Sequence, residues 1–146
     1  VPHRVEQVAG KDGVTDYKDT AATIPDAALA ALRSFTEPVI LLAGGSDKNL
    51  DFSILAEALL TEPKRVIFFR GEGTGKLLSK IRALLPIEEQ NRHFDVVESM
   101  GAAVTLAAEL AEAGDVVLLS PGAASFGLFK NEFDRGEQFR AAVQAL

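Results

Sequence analysis

Four stretches of this sequence bring glycine, hydroxyl and charged residues together in ways that could hold an anion. The most familiar in outline is VIFFRGEGTGKLLS, residues 66–79, where an apolar run meets a glycine-rich turn and then Gly75-Lys76. A phosphate loop of the G-x-x-x-x-G-K-[ST] kind curls backbone amides around phosphate, neutralises it with lysine and holds magnesium with the hydroxyl. Here Gly71 and Gly75 enclose only three residues, and Leu77 stands where the hydroxyl is required. The dinucleotide spacing G-x-G-x-x-G fails as well, since Gly71, Gly73 and Gly75 read G-x-G-x-G. A plain strand-to-helix turn is expected instead, with Thr74 as helix cap and Lys76 in solvent.

The other three stretches are more specific. In LLAGGSDKNLDF, residues 41–52, Gly44-Gly45 directly follows an apolar run and permits close backbone approach, with Lys48 offered from the same loop. The competing reading is a tight turn with a solvated lysine. In LLSPGAASFGLFKNEFDRG, residues 118–136, a run of small residues ends at Ser125, which could present hydroxyl and amide to a carboxylate. The alternative there is an ordered loop whose Phe126 and Phe129 simply pack. In YKDTAATIPDA, residues 17–27, Asp19, Thr20 and Thr23 precede a helix start, suited either to an anion or to plain capping. His3 and Arg4 at the chain start read as a solvated end, and Glu88-Glu89, Glu109 and Glu112 as solvated faces.

The elements that must position these residues alternate along the chain. Val14 to Asp19, Val39 to Ala43, Arg65 to Phe69, Phe94 to Val97 and Val116 to Leu119 have the composition of strands. Pro25 to Ser34, Phe52 to Leu60, Gly75 to Leu85, Gly101 to Ala113 and Asn131 to Leu146 carry helical periodicity. Val5, Val8 and a turn at Lys11-Asp12-Gly13 predict an antiparallel edge hairpin at the N-terminus. Several strands are apolar on both faces, as in a parallel sheet covered on both sides. The expected fold is α/β: a Rossmann-like, open, mostly parallel sheet of about six strands flanked by helices. In such sheets ligands bind beyond the carboxyl ends of the strands, which is where all four stretches fall.

With 146 residues, 47% of them hydrophobic and 25% charged, the chain reads as one soluble domain. A net charge of -6 argues against nucleic acid as a partner. There is no cysteine, and His3 and His93 form no metal-ligand pattern, so no metal site is expected in this domain. No apolar run has the roughly 18 residues of a membrane span. The start Val1-Pro2-His3-Arg4, without methionine, suits a piece of a longer protein.

Taken in order, PHR at 2–4, DTAATIPDAALAAL at 19–32, LLAGGSDKNLDF at 41–52 and LLSPGAASFGLFKNEFDRGEQF at 118–139 resemble the C-terminal domain of the Mur ligases. The resemblance spans essentially the whole chain. It implies part of a cytoplasmic, three-domain peptidoglycan-precursor enzyme that uses ATP and Mg2+ to join D-glutamate to UDP-N-acetylmuramoyl-L-alanine. It further implies that this domain binds the amino acid and closes over nucleotide held by the central domain. On that likeness, Lys48 pairs with the D-glutamate side-chain carboxylate, and Thr23, Ser125 and Phe126 contact the same substrate. Asp19 lies near the nucleotide ribose, and Arg4, accompanied by His3, meets the nucleotide from the domain junction. No catalytic residue is implied here, and the isolated domain is expected to be inactive, because the Walker loop and UDP-sugar site belong to the preceding N-terminal and central domains.

Two departures stand out. Many relatives have a lysine two positions after the aspartate of the DTAAT segment, where this sequence has Ala21. The segment after Asn131 reads Glu132-Phe133, whereas some relatives place the aromatic directly after the asparagine, so no aromatic contact is carried over there. Ala21 motivates the alternative of a non-catalytic module that binds an anionic metabolite or nucleotide on the same fold. A G-T-N-G-K-T-type loop upstream of Val1 would favour the ligase, and its absence the module. A purely structural scaffold is the third reading, on which Lys48 is only a surface charge.

Overall fold

β1 (Glu6–Lys11) and β2 (Val14–Lys18) form the antiparallel hairpin expected at the N-terminus, turning through Asp12 and Gly13 at φ 56° and 80°. The computed structural model describes residues 5–19, 23–46, 50–89, 94–123 and 128–146. After the hairpin come α1 (Pro25–Leu32), β3 (Val39–Ala43), α2 (Ser53–Leu59), β4 (Arg65–Phe69) and α3 (Glu72–Leu84). A 3-10 turn at Ile87–Glu89 leads to β5 (Asp95–Val97), α4 (Met100–Leu110), β6 (Val116–Leu119) and α5 (Glu132–Gln144). The strands build one six-stranded sheet in the order β1-β2-β6-β3-β4-β5, parallel everywhere except between β1 and β2.

Alternation along each strand sends side chains to opposite faces, and both faces are covered. Val39, Leu41, Val66, Phe68, Val116 and Leu118 pack in one core with α1, α2 and α3. Ile40, Leu42, Ile67, Phe69, Val117 and Leu119 pack in the other with α4 and α5. All five residues of β3 are buried, which explains why the sequence there is apolar without alternation.

Local signals hold at several element ends. Pro25 occupies the first turn of α1, Ser99 caps α4 by accepting from the Ala102 amide, and Asn131 caps α5 by accepting from the Asp134 amide at 2.7 Å. Asp51 accepts from the Ser53 amide at 2.9 Å, although the residue in the cap position of α2 is Phe52. One boundary is corrected: α3 begins at Glu72, three residues before the expected Gly75, with Gly71 in the cap position. Thr74 is therefore inside the first turn, where its side chain makes tertiary bonds rather than a helix cap.

Towards the amino ends of the strands, Asp16 is 6% exposed beside a cavity of about 300 Å³ that Lys11, Asp12, Val104 and Leu146 also line. Burial pushes its carboxyl up to about 6 from 3.8. The folded chain then holds a proton on Asp16 between about pH 4 and pH 6, where the unfolded chain has released it, so stability falls as pH rises through that window. Asp16→Asn is expected to raise stability near neutral pH by roughly 2 kcal/mol and to flatten the pH 4 to 6 dependence. Denaturant midpoints at the two ends of the window check this; equal slopes for both proteins would contradict it.

Candidate functional site

The sheet order decides which loops meet. Chain direction across the sheet reverses between β3, from which the chain proceeds to β4 and β5, and β6, which returns to the other side of β3. The helix after β6, α5, lies on one face, whereas α1 and α2, which follow the flanking strands β2 and β3, lie on the other. By the general rule for open α/β sheets, this switch point beyond the carboxyl end of β6 is where a ligand crevice is expected. Asp19 at the end of β2 and Gly44–Ser46 after β3 stand on its two sides, and the Ser120–Ala123 segment runs between them.

Backbone hydrogen bonds carry the three strands past their ends and tie these segments together. The Asp19 amide donates to Leu119 O at 2.6 Å, the Ser120 amide to Leu42 O at 3.2 Å, and the Gly44 amide to Pro121 O at 2.8 Å. Gly122, at φ 65°, lies so close to α1 and α2 that a Cβ there would sit 2.9 Å from Ala28 Cβ. The start of the β6 loop is thus wedged against α1 and α2.

From the other side Arg135, fully buried on α5, donates through Nη1 to Ala123 O at 3.0 Å. Burial lowers its pKa to about 10, which leaves it cationic at neutral pH. Its Nε and Nη2, together with Ser46 Oγ and Ser120 Oγ, are buried without a hydrogen-bond partner among the described residues. Leaving such a group unpaired costs about 1–3 kcal/mol. All four atoms belong to the carboxyl edge, the side on which the crevice is expected.

Of the expected site residues, Asp19 and Thr23 are described. Asp19 is 2% exposed at the end of β2. Thr23 is half-buried one residue before Ile24, the α1 cap position, which makes no side-chain cap bond; Thr23 is therefore not used as the cap. His3, Arg4, Lys48, Ser125 and Phe126 lie outside the described residues, as does Ala21. The described segments that bracket Lys48 and Ser125 end at Ser46 and Ala123, on either side of the β3–β6 switch.

The glycine-rich turn after β4 is packed against the Gly44–Ser46 segment. A Cβ on Gly71 would stand 2.2 Å from Gly45 O, and one on Gly73 would stand 2.8 Å from Ser46 O. The Thr74 amide donates to Gly45 O at 3.2 Å, and the Gly45 amide donates to Thr74 Oγ1 at 3.0 Å. The turn's inner surface is filled by protein backbone, so it does not fit a triphosphate. Among the described residues, no group of three or more His, Cys, Asp or Glu side chains is placed to hold a metal ion. No described helix is long and apolar enough to cross a membrane.

Sequence reading missed Arg135 and the tertiary role of Thr74. Arg135 falls in line with Phe139 and Val143 at i, i+4 and i+8, the buried face of α5, and that position was the available signal. Nothing local marks the role of Thr74, because Gly45, which its amide and hydroxyl hold, comes from the loop after β3.

The sequence profile of the family described as Mur ligase, glutamate ligase domain, matches residues 3–123. A protein named UDP-N-acetylmuramoylalanine--D-glutamate ligase from Roseiflexus sp. (strain RS-1) is 48% identical over 145 residues, which are 99% of this chain and 30% of the relative. One of the same name from Borreliella afzelii (strain PKo) is 38% identical over 149 residues, spanning all of this chain and 32% of the relative. The chain thus spans about a third of the length of these relatives. A solved UDP-N-acetylmuramoyl-L-alanyl-D-glutamate--2,6-diaminopimelate ligase superposes with a TM-score of 0.63 over 99% of this chain and 32% of the other. At 19% identity that likeness establishes the fold alone.

Proposed function

The chain belongs to the Mur ligase, glutamate ligase domain family, and from that premise we propose that residues 1–146 are the single C-terminal, amino-acid-binding domain of a UDP-N-acetylmuramoylalanine--D-glutamate ligase. The observation that carries this reading is the β3–β6 switch point, beside which the described segments that precede Lys48 and Ser125 in the chain end. In the complete cytoplasmic enzyme, upstream domains hold UDP-N-acetylmuramoyl-L-alanine, ATP and Mg2+. The substrate carboxylate is phosphorylated, the amine of D-glutamate attacks the acyl phosphate, and an amide forms with release of ADP and phosphate.

This domain's part is to bind D-glutamate and bring its amine to the reacting carbonyl, which makes an otherwise bimolecular attack effectively intramolecular. A dianionic amino acid needs compensating cations and hydrogen-bond donors at a water-poor site. Lys48 supplies charge to the side-chain carboxylate, and Thr23 and Ser125 supply hydroxyls, with Phe126 beside them. Arg4 and Asp19 serve the nucleotide at the junction with the central domain, accompanied by His3. The rim supports closure against another domain: Ile24, Ile54 and Phe133, at the starts of α1, α2 and α5, are 46%, 64% and 73% exposed on the crevice side.

The test rejoins the chain to its natural upstream sequence and measures phosphate release. We expect release that depends on D-glutamate and UDP-N-acetylmuramoyl-L-alanine, with L-glutamate ineffective, and none from the 146-residue chain alone. Release by the complete protein with another amino acid but not with D-glutamate would overturn the reading.

A further inference from the structure

We infer that the cavity at the amino ends of the strands is a binding site for a small primary ammonium compound, with Asp16 as the carboxylate for its head and an apolar wall for a short carbon chain. The cavity measures about 300 Å³, at the lower end of the range for small-molecule sites. It lies at the opposite end of the sheet from the carboxyl edge, so it is separate from the amino-acid site proposed above.

Asp16 occupies a position where the strand pattern calls for an apolar residue. It pairs with Ala9 of β1 and Val117 of β6, and both of these pack in the core with α4 and α5. Asp16 is 6% exposed, and among the described residues its carboxyl forms no hydrogen bond or ion pair. Buried carboxylates are ordinarily paired, so a lone one lining a cavity has its acceptor capacity free for a ligand. Asparagine would fill the same space without the cost of a buried charge, so packing gives no reason for an acid here.

The rest of the lining selects the ligand. Val104, Ala108 and Ala111 from α4 and its end, Val14 and Val117 from the sheet, and Leu146 after α5 offer apolar side chains. Lys11 and Asp12, both exposed at the hairpin turn, are the other charged residues that line the cavity. Two carboxylates against one ammonium leave the lining net negative at neutral pH, where Asp16, titrating at about 6, is ionised. That balance favours a cation over an anion. A bare metal ion does not fit, because hard cations take about six oxygen ligands and these walls supply almost none. An alkylammonium meets both demands, with N–H donors for the carboxylate and a chain to lie against the valines and Leu146.

Neither D-glutamate nor phosphate release enters the test, so its outcome is independent of the function proposed above. Butylammonium is the probe, with butyrate and butanol as anionic and neutral controls of similar size. Calorimetric titration of the full-length protein near neutral pH should show butylammonium binding about 10-fold or more tighter than butanol, and no binding of butyrate. Asp16→Asn, expected to be the more stable protein, should weaken butylammonium about 10-fold or more while leaving butanol within about 2-fold. Ala108→Leu, at an exposed position on the cavity wall, should weaken both by filling the space. Butylammonium binding should also fade as pH falls through about 6 and Asp16 takes up a proton. No binding of butylammonium at millimolar concentration, equal affinity for butylammonium and butanol, a preference for butyrate, or parental affinity in either variant overturns the proposal.

Discussion

Gly71→Ala should destabilise the chain by on the order of 3 kcal/mol, lowering its melting temperature by roughly 10 °C, while Gly75→Ala, four residues away, should stabilise it by up to about 1 kcal/mol. The reason for the first is contact rather than backbone conformation. At φ 162° Gly71 is extended, but a Cβ there would stand 2.2 Å from Gly45 O and 2.5 Å from Gly45 C, and both atoms are backbone. Neither can swing aside as a side-chain tip would, so either the start of α3 or the turn after β3 must shift. Gly75 is exposed on the same helix and its Cβ would meet nothing within 4 Å, so alanine there reduces only the freedom of the unfolded chain. Thermal or denaturant unfolding of the two variants checks the pair; equal shifts of the same sign would show that the turn is not packed as described.

Lys48→Ala in the full-length ligase is expected to raise the KM for D-glutamate on the order of 100-fold, the usual consequence of leaving a charged group unpaired in a desolvated site. The preference for D-glutamate over D-glutamine should fall with it, since the two differ in the charge that Lys48 is proposed to compensate. Steady-state phosphate release with both amino acids measures the two quantities together. An unchanged preference would remove Lys48 from the side-chain carboxylate whatever happened to overall activity. Lys48→Arg is not expected to restore the parent, because a planar, forked guanidinium does not occupy the place of a compact ammonium.

Much of the fold was legible because burial is periodic. The apolar runs at Val39–Ala43 and Val116–Leu119 announced strands covered on both faces, and the turn at Asp12-Gly13 announced the hairpin. Where reading along the chain went astray, the deciding contact was distant. The sequence predicts the start of α3 at Gly75, yet three glycines in five residues stand around the observed start at Glu72. They are tolerated in the first turn because Gly71 and Gly73 receive the backbone of residues 45 and 46, about 26 positions earlier in the chain. Thr74, expected as a cap, has its Gly45 partner in that same distant segment, and Arg135, to which the sequence assigned no role, is fully buried. Its burial follows from α5 laying that face on the sheet beside Phe139 and Val143.

By itself the sequence determined the order of strands and helices, the four motifs and the family they resemble, because local periodicity and residue type carry that information. Only the tertiary structure decided that β6 inserts between β2 and β3, which brings the carboxyl ends of three strands far apart in the chain side by side. It also decided that the glycines after β4 receive protein backbone instead of phosphate. Strand order and close backbone approach arise from contacts between residues remote in sequence, and no local pattern records which distant segment will fill a gap.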